Sequence, residues 1–151
     1  MPGTGTQQAG APTGPWLLLL GAWAIALAAT LGALFIGEVM GQAPCLLCWY
    51  QRAFMFPLAA ILAVAAYRSD LGAWRYALPV AAIGWLVAAY HVLIYAGLLP
   101  KSIEPCALGG PSCSDAAMTI LGTIPIPALS LGAFTAIVLA LLLIRRESTH
   151  E

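Results

Sequence analysis

Pro44-Cys45-Leu46-Leu47-Cys48-Trp49-Tyr50-Gln51-Arg52 sets two cysteines, with two residues between them, into a short break between long apolar runs. The run before the break, Trp16 to Ile36, is 21 residues without a charge. The run it opens extends from about Cys48 to Tyr67, with Arg52 close to its beginning. Two more follow, about Tyr76 to Leu99 and about Pro127 to Ile144. A hydrocarbon core of about 30 Å takes roughly 20 apolar residues in a helix. Four such runs predict an all-α, polytopic membrane protein: a four-transmembrane-helix bundle with two cysteine-bearing loops, the second holding Cys106 and Cys113.

Composition agrees. Of 151 residues 62% are hydrophobic and 8% charged, with mean hydropathy +0.91, where a soluble domain carries roughly 25% charged residues. The formal net charge is zero and no basic run is present, which excludes nucleic acid as a partner. The expected organisation is a disordered leader over 1–15, a transmembrane domain over 16–144 and a tail over 145–151. The leader carries no Lys or Arg, and the first apolar run exceeds the roughly 7–15 residues of a signal peptide's apolar region, so it reads as a retained helix.

Orientation follows from the basic residues. Arg68 and Arg75 lie between the second and third spans, and Arg145 and Arg146 follow the fourth. The opposite face has Lys101 and Arg52. This distribution predicts cytoplasmic termini and extracytoplasmic cysteine loops, in the compartment where disulfides persist. Trp16, Trp49, Trp74, Tyr67, Tyr76 and Tyr95 fall near expected helix ends, as interfacial aromatics do.

The Cys45–Cys48 spacing lets the sulfurs close a small ring, and a helix pattern begins at once behind Pro44. Unpaired N–H groups and the dipole at a helix start stabilise a thiolate. Arg52, four residues after Cys48, shares its helix face, and a guanidinium beside a sulfur favours the reactive thiolate. A structural disulfide or half of a zinc site is the alternative for the pair, and a snorkelling anchor the alternative for Arg52. Cys106 and Cys113 stand in Glu-Pro-Cys-Ala-Leu-Gly-Gly-Pro-Ser-Cys-Ser, six residues apart in a stretch too rich in Pro and Gly for regular structure. An exposed disulfide there is a labile one; a staple ordering the loop is the bland alternative. Ser114–Ile124 is a candidate surface helix. Glu38 is a candidate partner for Arg52 or Lys101, and Glu104 and Asp115 read as solvated. His91 falls inside the third span, eight residues from Leu99 and so about 12 Å below the outer end. A histidine at that depth must face the bundle interior and find a partner.

The string from Pro44 to Arg52, after a first helix ending Gly-Glu-Val-Met, resembles the first cysteine motif of the DsbB family of disulfide bond formation proteins. A Tyr-His pair in the third span, a Pro-Cys loop and Ile-Pro-Ala-Leu-Ser-Leu before the fourth extend the resemblance from about Trp16 to Ile144. With six residues between Cys106 and Cys113 the chain is more similar to the short BdbC-type members than to the longer form. The resemblance implies a thiol:quinone oxidoreductase of the bacterial cytoplasmic membrane. Cys45 and Cys48 would exchange electrons with a quinone (ubiquinone or menaquinone), Cys48 being the sulfur that touches it and Arg52 the group that polarises it. Cys106 and Cys113 would oxidise a DsbA-like, thioredoxin-fold dithiol partner; which of the two is attacked stays open. For His91 the depth in the span, rather than the resemblance, leaves the roles open: it bonds a neighbouring hydroxyl or carbonyl, donates to a bound quinone or relays a proton. With two histidines, one in the tail, no haem or metal constellation is evident. Three alternatives remain: a vitamin K epoxide reductase-like enzyme, in which the CxxC follows the loop pair rather than preceding it; a structural tetraspanning protein with inert disulfides; and a metal-binding membrane module using all four thiolates.

Overall fold

The computed structural model describes residues 13–99, 119–120 and 124–150; Lys101, Glu104, Cys106, Cys113 and Asp115 lie outside them. Helix α1 runs Thr13–Leu34 and passes into a π-helical turn, Phe35–Val39. Helix α2 spans Leu46–Arg68, a 3-10 turn over Leu71–Ala73 leads into α3, Trp74–Tyr95, and α4 is Ile126–His150. Four stretches are long and apolar enough to cross a membrane, Gly14–Val39, Leu46–Arg68, Leu71–Tyr95 and Ile126–Ser148. The shortest has 23 residues, about 34 Å at the usual helical rise. The protein is a multi-pass membrane protein with an all-α bundle.

The helix ends follow from local chemistry. Helix α2 stops at Ser69, which takes the left-handed conformation (φ 52°) while the N–H groups of Ser69 and Asp70 donate back to the carbonyls of Ala66 and Ala65. Asp70 then caps the short turn, accepting from the Gly72 N–H at 2.9 Å and from the Tyr76 hydroxyl at 2.9 Å. Gly97 (φ 70°) ends α3 in the same way, with Gly97 and Leu98 N–H groups returning to Ile94 and Leu93. Helix α3 therefore ends at Tyr95 instead of continuing to Leu99. Pro57 and Pro79 sit inside α2 and α3 without ending them, a pattern that membrane helices tolerate.

Around the bundle each helix packs against its two neighbours in the order α1, α2, α3, α4 and back to α1. The interior is built from unequal partners. Helix α3 turns Ala77, Ala81, Gly84 and Ala88 inward, and α4 answers with Phe134, Ile137, Leu141 and Ile144. Small residues on one helix let the other approach, which is how helices associate where lipid removes the hydrophobic incentive. The ring of Phe134 occupies the space where a side chain on Gly84 would begin. Leu17, Leu31, Val64, Leu86 and Leu139 point outward, an apolar exterior that a water-soluble monomer of this size would not carry.

In the third connection, Thr119–Ile120 (β1) pairs antiparallel with Ile124–Pro125 (β2) in the register Thr119 to Pro125 and Ile120 to Ile124. In place of the surface helix expected over Ser114–Ile124, Thr119, Ile120 and Ile124 are extended, and the rest of that segment lies outside the described residues. The β-branched Thr119, Ile120 and Ile124 favour extended backbone, and Ile124 is held there further by the proline that follows it.

Gly84→Val should drive a branched side chain into Phe134 and cost about 1–3 kcal/mol, the usual range for overpacking. It should show as earlier thermal inactivation in detergent. The double variant Gly84→Val/Phe134→Leu should recover part of the loss.

Candidate redox site at the start of the second helix

Cys45 is the residue at which the chain enters α2. Its backbone is extended (φ −68°, ψ 167°), and its Sγ accepts the Cys48 N–H at 3.1 Å. That N–H is one of the donors a helix start leaves without an intrahelical partner. The Trp49 N–H closes the first turn on the Cys45 carbonyl at 3.0 Å. One turn of helix brings the Cα atoms to 5.0 Å, and Cys45 and Cys48 are joined by a disulfide. The two sulfurs differ in setting. Cys45 is fully buried in a small cluster with Leu47 and Ile94, against which Tyr90, Tyr95 and Leu99 pack. Cys48 is partly buried and lies on the wall of a cavity.

Helix α3 delivers His91 to this point. Because α3 ends at Tyr95, the histidine is one turn from the helix end, about 6 Å along the axis, rather than two turns deep. Its Nε2 lies 3.9 Å from Cys45 Sγ and its Nδ1 2.8 Å from the amide nitrogen of Gln51. Both side chains are buried. Gln51 was not among the residues singled out from the sequence. Its spacing held the signal, since three residues after Cys48 on a helix puts it on the same face.

Arg52 shares the cavity wall with Cys48, as the four-residue spacing requires. Its guanidinium donates to the Ala33 carbonyl at 2.8 Å and lies 5.6 Å from the centre of the Trp49 ring. Glu38 is exposed and is not the group that holds it. The arginine comes to rest where α1 widens into its π turn, a feature that recurs at functional sites. There Gly37 faces it: a Cβ on Gly37 would stand 3.1 and 3.2 Å from the two terminal nitrogens.

The cavity measures about 630 Å³, within the 300–1,000 Å³ common for small-molecule sites. Ala28, Ala29, Gly32 and Ala33 of α1 and Ala133 of α4 leave the room, while Ile25, Ile36, Met55 and Phe56 make its walls apolar. Cys48, Gln51, Arg52 and His91, with Gln42 and Ser130, supply its polar atoms. The ligand atoms of Cys45, Cys48 and His91 lie within 4.8 Å of one another. Metal binding takes thiolates, however, and here the two sulfurs are bonded to each other. Cys106 and Cys113 fall outside the described residues.

Gly37→Val should push the guanidinium from its seat and detach it from Ala33. The displacement should show as a change in the fluorescence of Trp49, against whose ring the guanidinium rests. Gly41→Ala, with nothing near its Cβ position but a φ of 67°, should cost stability without that effect.

The comparisons with known proteins bear on the same residues. The family model for the disulfide bond formation protein DsbB matches residues 15–144. A probable disulfide formation protein of Metapseudomonas resinovorans is 61% identical over 134 residues, covering 89% of this chain and 93% of that one. Disulfide bond formation protein C of Bacillus subtilis is 38% identical over 134 residues, covering 89% and 96%. A probable disulfide formation protein of Deinococcus radiodurans is 43% identical over 129 residues, covering 80% and 83%. No solved structure matches. With the CxxC disulfide at a helix start and the match running through all four helices, the chain belongs to the DsbB family of disulfide bond formation proteins.

Proposed function

We propose that this protein is a thiol:quinone oxidoreductase of the bacterial cytoplasmic membrane, which reoxidises an extracytoplasmic thioredoxin-fold dithiol partner and passes the electron pair to a membrane quinone. The observation that carries the reading is the position of Cys48, a disulfide sulfur on the wall of an apolar cavity shared with Arg52 and His91. A planar, lipid-borne acceptor suits such a cavity, being apolar over its faces and polar at its oxygens. When bound, a quinone supplies the two-electron acceptor.

The chain's own residues do the rest. The partner's dithiol is oxidised as the Cys106–Cys113 disulfide is reduced. The resulting thiols then open Cys45–Cys48 by thiol–disulfide exchange. Two electrons and two protons thus reach Cys45 and Cys48, which return to the disulfide by giving both to the quinone. Arg52 supplies positive charge on the cavity wall that it shares with Cys48, where a low dielectric makes that charge effective. The Ala33 carbonyl and the Trp49 face hold the guanidinium in place. The distribution of Arg68, Arg75, Arg145 and Arg146 supports cytoplasmic termini and an outward-facing site.

Purified protein mixed with a reduced thioredoxin-fold protein and a soluble quinone analogue should consume quinone, followed by its ultraviolet absorbance. Cys48→Ser should abolish turnover; retained turnover would sink the assignment. Arg52→Leu should slow quinone reduction about 100-fold, the cost of one lost electrostatic donor, while exchange with the partner changes only a few-fold. Equal losses in both half-reactions would reduce Arg52 to an anchor.

A further inference from the structure

Cys45 presents a chemical problem that the cavity does not solve. Its sulfur is fully buried among apolar side chains, yet each cycle must open and re-form its bond to Cys48. A thiolate is the attacking form in disulfide chemistry, and burial away from water disfavours it. Cys45 therefore needs a proton carrier of its own.

We propose that His91 moves the proton of Cys45, and that Gln51 is the positioning residue that sets which ring nitrogen carries it. This rests on the proposed thiol:quinone reading and adds to it a role for the buried sulfur. The geometry is a chain of three buried side chains, Gln51 amide to His91 Nδ1 at 2.8 Å and His91 Nε2 to Cys45 Sγ at 3.9 Å. A neutral imidazole has one donor and one acceptor nitrogen, fixed by what the other nitrogen meets. Here the amide nitrogen of Gln51 faces Nδ1, which leaves the hydrogen on Nε2, pointed at the disulfide sulfur. A half-turn of the same amide puts its carbonyl against Nδ1–H and frees Nε2 to accept. Glutamine serves both states because it offers a donor and an acceptor at one position; a carboxylate would favour only the second.

The step balances. In the dithiol state Cys45 S–H gives its proton to Nε2; as the Cys45 thiolate forms the S–S bond to Cys48, the bond that the Cys48 sulfur has made to the quinone breaks, and its electron pair leaves with the quinol. The dithiol is oxidised and loses two electrons. The quinone of the proposed function is reduced by that pair and takes two protons, one originating on Cys45 through His91 and one on Cys48. The Cys48 N–H on Cys45 Sγ steadies the thiolate while it exists.

The chain holds only two histidines, His91 and His150, so ¹⁵N-histidine labelling resolves the site directly, with His150→Gln to assign the tail signal. In the oxidised protein His91 should show the Nε2–H tautomer, and reduction to the dithiol should change its nitrogen shifts. Gln51→Leu should remove that redox dependence, and Gln51→Glu should hold Nδ1–H in both states. Kinetics give the second readout. In a single turnover of pre-reduced protein with a soluble quinone analogue, His91→Ala should be about 100-fold slower, the lower end for a general base. Added imidazole should recover part of it through the adjoining cavity, and His91→Gln guards against a folding artefact by filling the space. Gln51→Leu should lower the maximal rate with the half-saturating quinone concentration unchanged. His91 shifts identical in the two redox states would overturn the relay. So would a wild-type rate in both His91 variants, and a Gln51→Leu effect confined to half-saturation would make Gln51 a quinone contact instead. Wild-type protein that fails to reduce quinone would overturn the proposed function, leaving the redox-dependent spectrum to decide the relay alone.

Discussion

The start of α2 is sealed on the side of Cys45 and Leu47, and a helix start must find acceptors there for backbone donors that water cannot reach. Cys45 meets that requirement with its own sulfur, taking the Cys48 N–H at 3.1 Å. The same bond draws Cys48 back over the first turn, where its sulfur can reach Cys45. Capping and redox geometry are thus one arrangement, and neither cysteine can be moved without unmaking the helix entry. The polar groups around it depend on this as well. Gln51 and Arg52, three and four residues beyond Cys48, face the cavity because α2 begins where it does.

Space beside the disulfide is made by subtraction. Along α3 and α4 small residues meet large ones and the bundle closes around Phe134. Along α1 the small residues Ala28, Ala29, Gly32 and Ala33 border a gap that the described residues leave open. The π turn at Phe35–Val39 then shapes its outer end. It places Gly37 against the guanidinium of Arg52 and lets the Ala33 carbonyl accept from it. An arginine in an apolar helix is expensive; here a carbonyl, an aromatic face and a glycine without a side chain accommodate it.

The two sulfurs consequently live in different environments. Cys48 borders an apolar cavity whose wall it shares with Arg52, and Cys45 is enclosed, packed among the described residues with Leu47, Ile94 and His91. A disulfide with one sulfur accessible and one sealed has a built-in direction, because an incoming molecule in the cavity meets Cys48 first. Inside the bundle the sealed sulfur has His91 beside it, and Gln51 beyond.

The sequence by itself determined the all-α membrane class, because runs of about 20 apolar residues have few stable alternatives in lipid, where the backbone must bond to itself. It also determined that Cys48 and Arg52 share a face, since helical spacing is a local property. The family resemblance carried by Pro44 to Arg52 was legible for the same reason: the motif is contiguous. What needed the tertiary structure was every relation between helices. That His91 reaches Cys45 rather than Cys48, that Gln51 orients it, and that Ala33 rather than Glu38 receives Arg52 are contacts between residues 19 to 46 positions apart. Helix ends also shifted, with Gly97 closing α3 four residues early and so raising His91 to the level of the disulfide. Periodicity fixes which face a residue occupies, but only packing decides what that face meets, and at what height.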